Sequence, residues 1–122
     1  MTYFQRILAI LFLSIGGMTA ANAHAMLDHA EPAVGGTVNA PPTEVKLWFT
    51  EALEPAFSTV QVFDQQGQRV DQQDARPQSS SKAKVLRVAL KPLSPGIYKV
   101  VWRVVSIDSH VTQGEFTFQV AP

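Results

Sequence analysis

The stretch Ile97-Tyr98-Lys99-Val100-Val101-Trp102-Arg103-Val104-Val105 carries Val100, Trp102 and Val104 on one face and Val101 and Val105 on the other. A short segment that is apolar on both faces and rich in β-branched residues reads as a central strand, with Trp102 as its core anchor. Outward from it, apolar residues recur at every second position. Val45, Leu47 and Phe49 alternate with Lys46 and Trp48, Val60 and Val62 with Thr59 and Gln61, and Phe116, Phe118 and Val120 with Glu115, Thr117 and Gln119. Period 2 gives half-buried strands, and Val85 to Leu90 adds another. Turn signals fall where these strands should end, at Pro32 to Gly36, Pro41-Pro42, Asp64 to Gly67 and Ser94-Pro95-Gly96. The Gln- and Ser-rich run from Asp71 to Lys84 reads as a mobile surface loop. No window of ten or more residues beyond the N-terminal segment carries a helical stripe. The expected fold is all-β: about seven short strands in an immunoglobulin-like β-sandwich or Greek-key barrel.

Composition narrows the function classes. The 122 residues hold ten Lys and Arg against ten Asp and Glu, so no charge excess points to nucleic acid or an anionic surface. An apolar fraction of 46% with 16% charged fits one globular domain. The absence of cysteine excludes disulfides, Cys-ligated zinc, a thiol nucleophile and a blue-copper centre, which needs a thiolate.

The N-terminus has its own logic. Arg6 supplies a positive flank, Ile7 to Ile15 is an almost unbroken apolar run, and Ala21-Asn22-Ala23 has the small-x-small pattern of a signal-peptidase site. The run is short for a membrane span of about 20 residues. Residues 1–23 are therefore expected to be a cleaved signal peptide, and 24–122 a single exported domain that begins with His24.

An N-terminal histidine is chemically unusual, because its α-amine and ring Nδ1 can close one chelate ring on a metal. The amine, with a reference pKa of about 7.7 to 8.0, yields its proton to a metal near neutrality. Nitrogen-rich tetragonal sites favour Cu(II). Asp108-Ser109-His110 supplies a second element: in extended chain, residues i and i+2 project to one side about 6.6 Å apart, so a carboxylate and an imidazole could converge. Taken alone, Asp-x-His is a weak pattern.

His24-Ala25-Met26-Leu27 with Pro32, the strand Val45 to Phe49 followed by Thr50-Glu51, the Tyr98 to Arg103 strand, the Ser-x-Asp-x-His step ending at His110 and the closing Gly114 to Val120 strand together resemble the CopC family of periplasmic copper-resistance proteins, which takes in YobA-like proteins. The resemblance covers essentially the whole of 24–122. It implies a cupredoxin-like or immunoglobulin-like sandwich holding one Cu(II) per chain through the amine and ring of His24, Asp108 and His110. Glu51 matches a position where some members place a carboxylate near the metal, as a ligand, a near neighbour or a solvated strand end. It also implies a periplasmic copper carrier, monomeric and not an enzyme, that hands copper to a CopD-type inner-membrane transporter. Many members bind Cu(I) through a Met-rich loop. Here Met26 is the only methionine after residue 23, and the corresponding Asp64 to Lys84 region is rich in Gln and Ser, so no separate Cu(I) site is expected.

The remaining candidates read more simply. His29 reads as solvated, Met26 as core filler, and Ser109 and Thr112 as hydrogen-bonding neighbours of His110. Trp48 could lie over a metal or on a second packed face. Two other function classes compete with a carrier: a copper monooxygenase built on two histidines, and a structural sandwich with incidental histidines.

Overall fold

The computed structural model describes residues 24–122. The expected signal peptide at 1–23 lies outside the described residues. The strands are β1 (Leu27–Glu31), β2 (Thr37–Val38), β3 (Glu44–Phe49), β4 (Thr59–Phe63), β5 (Arg76–Pro77), β6 (Val85–Ala89), β7 (Gly96–Val105) and β8 (Val111–Val120), with a 3-10 turn at Pro55–Phe57 between β3 and β4. They form two four-stranded sheets, ordered β1-β3-β6-β5 and β2-β8-β7-β4. β2 pairs with β8 in parallel and every other neighbouring pair is antiparallel. The chain changes sheet at each step from β1 to β5 and again between β6 and β7, so the two layers are laced together. This is the expected all-β sandwich, with β1 and the two very short strands β2 and β5 beyond those the periodicity marked.

The period-2 faces meet in one core. Val45, Leu47, Phe49, Val88 and Leu86 from the first sheet pack against Val60, Val62, Val100, Trp102, Val104, Phe116 and Phe118 from the second. β7 lies between β8 and β4, the inner position its two apolar faces called for. Trp102 is buried and meets Phe49 edge-on, with ring centroids 5.5 Å apart at 77°. Gly114 faces it in the register of β7 and β8. A Cβ there would lie 2.6 Å from Cζ2 of the indole, so the glycine makes room for the tryptophan.

Two expectations are corrected. The segment Asp71 to Lys84 is no free loop: Asp71 is 0% exposed. Its Oδ1 accepts from the Val62 N–H at 2.8 Å and from Arg69 Nε at 3.0 Å, and its Oδ2 accepts from Arg69 Nη2 and the Gln73 N–H, each at 3.0 Å. The Gln72 N–H donates to the Ala89 carbonyl, Asp74 Oδ1 accepts from the Ala89 N–H, and Arg76–Pro77 pairs with β6. The polar side chains misled the composition argument because two of them, Asp71 and Asp74, accept from backbone N–H groups of β4 and β6. Met26 is not core filler either. It is 56% exposed, because Ala25, fully buried, takes the inward position beside it.

Candidate metal centre

At one end of the sandwich the chain start, the segment after β3 and the β7–β8 connection come together. Thr50 organises the first two. The Met26 N–H donates to Thr50 Oγ1 at 3.0 Å, the Thr50 hydroxyl donates to the His24 carbonyl at 3.4 Å, and the Thr50 N–H donates to the Met26 carbonyl at 2.9 Å. The Thr112 hydroxyl donates to the Ala25 carbonyl at 2.7 Å, which ties the chain start to β8 as well. His24 is thereby held over the β7–β8 turn, its ring centroid 4.5 Å from that of His110 at 56°.

Asp108-Ser109-His110 does not continue β7 in extended form. It is a tight turn, with Ser109 at φ 71°, in the left-handed region. The turn brings together what the extended-chain argument expected by another route: Asp108 Oδ2 lies 3.2 Å from His110 Nδ1. Ser106, fully buried, is the centre of this turn. Its hydroxyl donates to Asp108 Oδ1, its Oγ accepts from the His110 N–H at 3.2 Å, and its own N–H donates to the His110 carbonyl at 2.9 Å. The Ser109 N–H closes the turn on the Ser106 carbonyl at 2.8 Å. The Ser106 hydroxyl bond holds the Asp108 carboxyl below the ordinary carboxylate range, against a smaller opposing effect of burial, and His110 adds to the lowering. Asp108 is therefore anionic at neutral pH.

The structure brings His24, Asp108 and His110 together as neighbours, but not as a finished cage. Among the described residues no group of three or more His, Asp or Glu side chains converges at metal-holding distance. The side chains of His110 and Asp108 are 47% and 39% exposed, which leaves them room to turn. With Nδ1 facing Asp108, His110 has Nε2 free to ligate. This is the carboxylate–histidine pairing that orients many metal-bound imidazoles. Glu51 is partly buried in the segment just after Thr50 and makes no hydrogen bond or ion pair among the described residues. His29 stands apart on β1, stacked on Trp48 with centroids 4.3 Å apart at 15° and with its Nδ1 2.7 Å from Asp28 Oδ2. That stacking gives Trp48 its role on the outer face of the first sheet. Of the two expected neighbours of His110, Thr112 instead tethers Ala25.

Sequence reasoning missed Ser106 and Thr50 as organisers. Ser106 was visible as the first residue of the Ser-x-Asp-x-His step and Thr50 as the middle of Phe-Thr-Glu. What each holds depends on a turn and a cross-strand contact that spacing does not encode.

The fold and this end of it define a small β-sandwich that presents a paired imidazole surface backed by a carboxylate. Residues 27–121 match the model of the CopC domain, and the chain belongs to the CopC family. It is 34% identical over 98 residues to protein YobA of Escherichia coli K12, covering 80% of this chain and 79% of that protein. It is likewise 34% identical over 108 residues to copper resistance protein C of Xanthomonas campestris pv. juglandis, with 83% of each covered. The copper transport protein CutJ of Bacillus subtilis matches 93% of this chain at 29% identity, but with only 21% of its own length. Among solved structures, CopC from Methylosinus trichosporium OB3b superimposes with a TM-score of 0.75 at 35% identity, over 81% of this chain and 95% of that one.

Proposed function

We propose that this protein is an exported copper carrier that holds one Cu(II) ion at the His24 end of the sandwich. The observation that carries the reading is the approach of the His24 and His110 rings to 4.5 Å, with Asp108 Oδ2 3.2 Å from His110 Nδ1. Two imidazoles, a carboxylate and the α-amine of a processed His24 make a nitrogen-rich donor set suited to Cu(II). In the full-length chain the His24 nitrogen is a peptide nitrogen, so the amine donor comes into being only when the Ala23–His24 bond is cut. Export and assembly of the site are then one event, in the periplasm. Asp108 supplies negative charge, on the ion directly or through the ring of His110, and Glu51 is a further carboxylate on the adjacent segment.

Membership in the CopC family, with relatives named for copper resistance and copper transport, supports a carrier over an enzyme. CutJ, named for copper transport, supports a part in copper transport, and the recipient we propose is a CopD-type inner-membrane transporter. Binding is read by competition titration with Cu(II) on protein exported and processed to begin at His24. The alternative, a copper monooxygenase, predicts sustained oxygen consumption with copper, reductant and a polysaccharide; a carrier shows none.

A further inference from the structure

Met26 is the one methionine within residues 24–122. A single exposed apolar side chain is ordinary, but this one is placed by its neighbours. Ala25 points into the core at 0% exposure. Leu27, at the start of β1, packs against the core again, so Met26, two residues from His24, is the one that projects outward between two inward-facing neighbours. Thr50 fixes the arrangement by bonding the backbone of both residues, the His24 carbonyl and the Met26 N–H. The His110 ring lies against His24 on this same end. Methionine has three rotatable side-chain bonds and a polarizable sulfur, so its thioether can swing toward an ion held by the two rings.

We propose that Met26 Sδ joins the ring nitrogens of His24 and His110 to hold Cu(I), so that one end of the molecule accepts copper in either oxidation state. A thioether selects Cu(I), while imidazole serves both states. Cu(II) draws on the hard and nitrogen donors, the amine and Asp108; Cu(I) exchanges these for sulfur. No Met-rich loop is needed, because the soft ligand comes from the short segment before β1 that also carries His24. The ion is taken up already reduced, and the protein transfers no electron. The proposal rests on the reading of this end as a copper site.

The test measures both affinities on processed protein and its Met26→Leu variant. Cu(I) is titrated anaerobically in ascorbate against bicinchoninate, and Cu(II) against a chromophoric chelator. Leu matches Met in bulk and the position is exposed, so the variant folds. The expected result is a loss of at least about tenfold in Cu(I) affinity with Cu(II) affinity within twofold, together with copper–sulfur scattering in the X-ray absorption of the Cu(I) form that the variant lacks. Unchanged Cu(I) affinity, or an equal fall for both ions, overturns the role of Met26. Failure of the unsubstituted protein to bind either ion overturns the copper reading itself, and the two failures are distinct.

Discussion

Asp108 Oδ2 lies 3.2 Å from His110 Nδ1 across a turn whose middle residue, Ser109, has φ 71°. The contact is built from below by Ser106, whose hydroxyl bonds Asp108 while its Oγ receives the His110 N–H. Removing that hydroxyl should loosen both side chains at once. Ser106→Ala is expected to lower Cu(II) affinity by about 10- to 100-fold, the usual effect of losing a group that orients a metal ligand, with the β-sandwich intact by circular dichroism. Asp108→Asn keeps the shape and removes the charge, and is expected to weaken Cu(II) in the same direction.

Thr50 holds the chain start through three hydrogen bonds, one accepted and one donated by its exposed hydroxyl group and one donated by its backbone N–H. Thr50→Val removes the hydroxyl bonds and keeps the β-branched shape. The thermal midpoint is expected to move little, since surface changes cost about 0.5 kcal/mol or less, while copper affinity falls because His24 is no longer held over His110. Calorimetry beside a copper titration separates the two effects.

Asp71 makes a prediction about pH. Burial pushes its pKa up, but the Arg69 guanidinium and the Val62 and Gln73 N–H groups outweigh that and leave it below its ordinary value of 3.8. A carboxylate with a lowered folded-state pKa contributes stability that is present above 3.8 and is lost as pH falls below it toward the folded value. Unfolding titrations across this acid range should show stability falling as pH drops, and Asp71→Asn should flatten that slope. Asp71→Ala leaves Arg69 and two N–H groups without their acceptor and should cost about 2 to 4 kcal/mol.

Gly114→Ala puts a methyl group 2.6 Å from the Trp102 indole, which is itself pressed edge-on to Phe49. Neither partner can yield freely in a packed core, so a loss of about 1 to 3 kcal/mol is expected, visible as a drop of several degrees in thermal midpoint and a shift in tryptophan emission.

β3, β4, β6, β7 and β8 were legible in the sequence because a half-buried strand must alternate, and Val101 and Val105 opposite Val100, Trp102 and Val104 gave β7 the second apolar face of an inner strand. Asp71 was not legible, since a buried carboxylate looks like a solvated one until its partners Val62, Arg69 and Gln73 are known. The candidate metal centre divides the same way. His24, Asp108 and His110 stood out by residue type and family pattern. Their meeting depends on a left-handed turn at Ser109 and on Ser106 beneath it, which spacing along an extended chain described wrongly. Met26 was misplaced because lone methionines usually fill cores, and only the burial of Ala25 shows that this one faces outward.

The central claim is that the α-amine of His24 is a copper ligand created by processing. The most direct test is a Cu(II) competition titration of protein exported and processed to begin at His24, beside the same protein with one glycine inserted between Ala23 and His24. One tightly held ion per chain, weakened by orders of magnitude in the glycine-extended form while the fold persists, is the predicted result. Equal affinity in the two forms would contradict it.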